Sequence, residues 1–125
     1  MKKIFITGAS GYIGSNIVKV LSKKNQLYCL TKTKQKKLHN VKWIIGTLTS
    51  NCDTFLKKSD YLIHCAASGV YKKTSKKKIV KSNRIDSINF LKKAYNFECK
   101  KWILLGTSGE YGFIKNKPMS VKNTK

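Results

Sequence analysis

Thr7-Gly8-Ala9-Ser10-Gly11-Tyr12-Ile13-Gly14 is the stretch of this chain whose residue types and spacing most directly imply chemistry. It follows a short apolar run, Lys3–Ile6, and enters a segment whose apolar residues recur at helical spacing from Ile13. In that context each glycine has a use. Gly8 permits the tight turn, Gly11 lets backbone N–H groups approach a pyrophosphate with no Cβ in the way, and Gly14 lets the helix pack closely on the strand. The positive end of the helix then faces the phosphates. A glycine triplet alone fits any tight turn. Between a strand and a helix it points to a dinucleotide site.

Five short apolar runs supply the strands that would hold such a turn: Lys3–Ile6, Leu27–Leu30, Val41–Ile45, Tyr61–Cys65 and Trp102–Leu105. None alternates strictly, as expected of strands covered on both faces. Between the first two, Ile13, Ile17, Val20 and Leu21 share a helical face. A second helix, roughly 79–96, aligns Ile85, Ile88, Leu91 and Tyr95 in a stripe. Strands alternating with helices predict an α/β fold with right-handed βαβ crossovers and a parallel, doubly wound sheet of the Rossmann type. About five strands are present, one fewer than the full doubly wound arrangement.

These segments, in this order, resemble the extended short-chain dehydrogenase/reductases, the NAD(P)-dependent epimerases and dehydratases acting on sugar nucleotides. Thr7–Gly14 matches the family's glycine motif. Asp60-Tyr61-Leu62-Ile63-His64-Cys65-Ala66-Ala67 resembles its fourth strand, and Asn83 its helix asparagine. Lys101–Gly112 resembles the fifth strand and the Tyr-Gly sequence beyond it. The resemblance implies that Gly8, Gly11, Tyr12, Ile13 and Gly14 hold the pyrophosphate, and that Cys65, Ala66, Ala67 and Asn83 line the nicotinamide side. It also implies that Thr107 binds the reacting oxygen, with Ser108 the weaker candidate, in hydride transfer between nicotinamide and a sugar carbon.

The choice of dinucleotide rests on the end of the second strand. Rossmann domains place a carboxylate there for a ribose 2′-hydroxyl, or a basic group for a 2′-phosphate. This chain has Thr31 followed by Lys32, Thr33 and Lys34, which favours NADP over NAD, with Lys32 as the phosphate partner. After the third strand the resemblance calls for Gly-Asp-Leu beside the adenine. Gly46-Thr47-Leu48 stands in its place, so Thr47 offers a neutral hydrogen bond instead of a charge-assisted one.

The family's catalytic pair is Tyr-x-x-x-Lys on a helix. Tyr111 and Lys115 have that spacing, yet Gly112 follows the tyrosine at once and Pro118 comes soon after. An i, i+4 pair meets only on a helix, so this one is read as a decoy. The expectation is therefore a truncated Rossmann domain over residues 1–112 and a polar tail over 113–125. The real pair and the substrate-binding lobe would lie beyond it. Such a chain would bind dinucleotide without turnover. Its substrate would be a nucleotide sugar, and a homodimer is compatible with a complete protein.

Composition narrows the alternatives. Twenty-seven basic and five acidic side chains give a formal charge of +22, but 41% hydrophobic residues provide for a core. Lysine pairs and triplets are scattered along the chain and Arg84 is its only arginine, which suits a solvated surface better than base readout. Non-specific nucleic-acid binding and a non-catalytic dinucleotide-binding scaffold are the competing readings. No apolar run approaches the roughly 20 residues of a membrane span. Cys29, Cys52, Cys65 and Cys99 have no zinc-site spacing, and idle thiols suit a cytoplasmic protein. His39 and His64 stand apart from carboxylate clusters, and neither is given a metal role.

Overall fold

The computed structural model describes residues 1–69, 74–99 and 101–107. The expected boundary after Gly112, with Ser108, Tyr111 and Lys115, lies outside them. Five strands form one parallel sheet: β1 (Lys3–Thr7), β2 (Gln26–Thr31), β3 (Val41–Ile45), β4 (Tyr61–His64) and β5 (Lys101–Leu104). Their spatial order is β3-β2-β1-β4-β5. The order reverses between β1 and β4, where open α/β sheets leave a crevice at the carboxyl ends of their strands. The register aligns those ends, pairing Thr7 with Leu30 and His64, Thr31 with Ile45, and His64 with Leu104.

In β1, β2 and β4 the apolar runs lack strict alternation because both sheet faces are covered there. On one face Ile4, Ile6, Leu27, Cys29 and Ile63 pack with Ala9 and Val18, the latter from α1 (Tyr12–Leu21). On the other, Phe5, Leu30 and Leu62 meet Leu56 of α2 (Asp53–Lys57) and Phe90 and Ala94 of α4 (Ser87–Asn96). α4 continues a helical stretch that begins with α3 (Lys76–Val80) and passes through a π-helical segment, Lys81–Asp86. Helix α2 is too short to have been visible as an amphipathic repeat.

Both expected helix faces hold only in part. In α1, Ile17 and Leu21 pack against the core beside the buried Gly14 and Val18, whereas Ile13 and Val20 are 54% and 66% exposed. The glycine sets the face: where the missing side chain allows backbone contact, the helix turns that side to the sheet. In α4, Ser87, Phe90 and Ala94 face inward, whereas Ile88 and Tyr95 are 45% and 72% exposed. The stripe stays together across the π segment: Ile85 is 51% exposed alongside Ile88 and Tyr95, and of its members only Leu91 packs against the core. Strand β5 also shows apolar residues to solvent, with Ile103 and Leu104 57% and 50% exposed. Together with Leu91 and Trp102, the α4 side chains border a groove of about 380 Å³ between helix and strand.

Candidate dinucleotide site

The glycine turn is built as the spacing requires. Gly8 has φ +65°, which side-chain-bearing residues rarely adopt, and a Cβ there would lie 2.7 Å from the Ala66 nitrogen. The end of β1 is thereby pressed against the end of β4. A Cβ on Gly14 would fall 2.2 Å from the Gly8 carbonyl oxygen, so the first turn of α1 rests directly on the loop. The Gly11 N–H donates to that same oxygen at 3.0 Å, and Gly11 then caps α1 without a side chain. Tyr12 and Ile13 open the helix fully on its outer side, 77% and 54% exposed. No acidic residue stands in its first turn. A bare glycine floor with an uncapped positive helix end fits a pyrophosphate.

Thr31 ends β2 buried, and its hydroxyl donates to Ser10 Oγ at 2.8 Å. The residue expected at the ribose is thus tied to the glycine turn itself, through a serine that motif reading passes over as a spacer. Lys32 follows it, exposed, and joins neither ion pair found among the described residues. After β3, Gly46 donates its N–H to the Thr31 carbonyl at 2.8 Å. Thr47 is exposed in a turn that Ser50 closes, with Ser50 Oγ accepting from the Thr47 N–H at 2.9 Å. Leu48 is half-buried and packs against the core beside the sheet, a structural task in addition to any contact with a base.

Beyond β4, Cys65 and Ala66 are half-buried behind Gly8, and Ala67 is exposed. Asn83, from the π segment, reaches this loop. Its Oδ1 accepts from the Ser68 N–H at 2.7 Å and its Nδ2 donates to the Ser68 carbonyl at 2.9 Å. Asn83 therefore latches the loop on which Ala66 and Ala67 sit. Thr107 follows β5 at the same sheet edge, exposed. Every expected site residue lies at the carboxyl ends of the strands or on an element tied to them.

Sequence reading passed over one further group. His64 is buried, and its Nδ1 lies 2.8 Å from Thr7 Oγ1, its Nε2 3.2 Å from Ser87 Oγ. Its ring stacks on Phe90 at 6.2 Å. Burial holds the imidazole below the usual histidine pKa, in favour of the neutral form. The signal was available: in a parallel pair, Thr7 and His64 close equivalent strands next to the turn. The four thiols are unpaired, and burial pushes Cys29 up to about 12, outside the reactive range. Among the described residues no three His, Cys, Asp or Glu side chains converge on a metal position.

A model of the NAD dependent epimerase/dehydratase family matches residues 4–124. Solved structures agree. UDP-N-acetylglucosamine 4-epimerase from Methanobrevibacter ruminantium, in complex with UDP-N-acetylmuramic acid, is 25% identical with a TM-score of 0.85, covering 98% of this chain and 43% of its own. ADP-L-glycero-D-manno-heptose-6-epimerase from Helicobacter pylori is 25% identical with a TM-score of 0.75, covering 98% and 44%. A variant of UDP-glucuronic acid 4-epimerase from Bacillus cereus, solved with a fluorinated sugar nucleotide and NAD, shares the fold at 22% identity and a TM-score of 0.79, covering 96% and 44%. The chain thus spans less than half the length of these structures. No curated protein matches it.

Proposed function

The chain belongs to the NAD-dependent epimerase/dehydratase family, and from that premise we propose that it is the dinucleotide-binding portion of an enzyme acting on a nucleotide sugar. The observation that carries this is the contact of Gly8 with the Cys65–Ala66 backbone, which closes the floor of the crevice where the strand order reverses. Gly11, Tyr12, Ile13 and Gly14 would hold the pyrophosphate by backbone N–H groups and the helix end. Thr47 and Leu48 would flank the adenine, and Cys65, Ala66, Ala67 and Asn83 the nicotinamide side. Bound nicotinamide supplies hydride acceptance and donation. Thr107 would hold the reacting sugar oxygen.

Lys32 and the missing carboxylate at Thr31 favour NADP(H) over NAD(H) on charge complementarity. The catalytic acid/base is assigned to polypeptide outside residues 1–112, because Tyr111 and Lys115 lack helical sequence context. The exposed apolar faces of α4 and β5 support this division. Ile88, Ile103 and Leu104 are each about half exposed. Covering the exposed half of such a side chain would contribute roughly 1 kcal/mol, about half the value for full burial. A doubly wound sheet continues past its fifth strand at this edge.

The test is binding without turnover. Purified 1–125 should bind NADPH or NADH saturably, followed through Trp43 and Trp102 fluorescence, and should neither epimerise, dehydrate nor reduce a nucleotide sugar. Turnover by this chain would refute the division. Absence of binding at moderate salt would refute the site.

A further inference from the structure

The hydroxyl groups around His64 determine where its proton sits. Ser87 has one hydroxyl proton, and its Oγ donates to the Ser82 carbonyl at 3.0 Å. Toward His64 Nε2, 3.2 Å away, Ser87 can therefore only accept. A neutral imidazole protonated at Nε2 has a bare Nδ1, so Thr7 Oγ1 must donate to it across 2.8 Å. The Thr7 oxygen in turn accepts from the Ala66 N–H at 3.3 Å. Every donor has one acceptor and every hydroxyl proton is used. The chain of bonds runs in one direction, from the Ala66 amide through Thr7, His64 and Ser87 to the Ser82 carbonyl.

Its two ends belong to different parts of the site. Thr7 precedes the glycine turn and Ala66 backs it. Ser82 lies in the π segment beside Asn83, and its Oγ accepts from Ser68 Oγ at 2.9 Å. Asn83 fastens the Ser68 backbone on both sides. π-Helical turns are uncommon and concentrate at functional positions. Here the wider turn spans the five-residue reach from Ser82 to Ser87.

We propose that His64, held as the Nε2–H tautomer, is a positioning residue that couples the glycine turn to the Ser68–Asn83 latch. The two halves of the dinucleotide crevice are then ordered together. An Nδ1–H tautomer would leave Nε2 bare, so Ser87 would have to withdraw its proton from the Ser82 carbonyl to donate to the ring, and the Thr7 hydroxyl proton would lose Nδ1 as its acceptor. The effect on affinity rests on the dinucleotide reading above, whereas the tautomer and the coupling stand without it.

The experiment is NMR of ¹⁵N-labelled 1–125 near neutral pH, without ligand and then with NADPH. Long-range ¹H–¹⁵N correlation should show His64 protonated at Nε2 and bare at Nδ1. An Nδ1–H ring or an imidazolium would overturn the proposal. In Thr7→Val, of similar shape but with no hydroxyl, the amide shifts of Ser68, Ser82 and Asn83 should move, and Thr7→Ser should restore them. Shifts confined to residues adjoining position 7 would overturn the coupling. If Thr7→Val does not fold, the tautomer in the unaltered chain still decides. NADPH affinity should fall about fivefold in Thr7→Val and recover in Thr7→Ser. Loss of coupling with unchanged affinity would overturn the positioning role, while a chain that binds no dinucleotide at all leaves the NMR result to judge the relay and counts against the site alone.

Discussion

Gly14 sits so close to Gly8 that a methyl group on it would stand 2.2 Å from the Gly8 carbonyl oxygen. That oxygen also accepts the Gly11 N–H. One carbonyl thus fixes both the turn and the seat of the helix. Gly14→Ala should destabilise the chain toward the upper end of the roughly 1–3 kcal/mol seen on overpacking, because backbone has to move. Urea unfolding checks this, and an unchanged midpoint would contradict the close seat.

At Gly8 the constraint is doubled, by a φ of +65° and by the Cys65–Ala66 backbone behind it. Gly8→Ala should displace the β4 loop and lower dinucleotide affinity at least tenfold, about 1.4 kcal/mol. Calorimetric titration of a folded Gly8→Ala chain reads this directly. Undiminished affinity would place the nucleotide elsewhere.

Lys32 follows β2 in solvent, where a single charge-assisted contact contributes about 1 kcal/mol. Lys32→Ala should weaken NADPH binding about fivefold and leave NADH within twofold. Equal losses for the two would remove the 2′-phosphate assignment. Loss from neither would leave the selectivity with other residues.

Burial depresses the His64 pKa, and the sign of its linkage follows. The unfolded chain takes up the proton first, near the ordinary value of about 6.5. This contribution to stability is present above that pH and is lost as pH falls through it, toward the lower folded value. The slope approaches about 1.4 kcal/mol per pH unit for one proton. Urea midpoints from pH 7.5 to 5.5 test it, with His64→Gln as the flatter comparison. Parallel pH profiles for the two chains would contradict a buried neutral imidazole.

Much of the architecture was legible because strand burial and turn geometry are written locally. Val41–Ile45 reads directly as a strand, and Gly8, Gly11 and Gly14 each serve the contact their spacing implies. The helix faces were legible only in part. Ile17, Leu21 and Leu91 pack on the core as their spacing implies, but Ile88 and Tyr95 lie outside with Ile85, and the inward positions of α4 go to Phe90 and Ala94, which that stripe leaves out. The second layer of the site was also hidden. Ser10, Ser68 and Ser87 carry no motif, and their importance comes from hydrogen bonds to Thr31, Asn83 and His64 across the fold. The large positive charge, conspicuous in composition, yields only two ion pairs among the described residues, and pairs so exposed contribute little.

The most direct test is titration of purified residues 1–125 with NADPH and NADH at moderate salt, alongside Gly8→Ala and an unrelated DNA duplex. A crevice at the β1–β4 reversal predicts saturable, one-site dinucleotide binding that Gly8→Ala weakens at least tenfold and that survives added salt. Binding that Gly8→Ala leaves intact, or that vanishes with salt in parallel with the DNA, would contradict it.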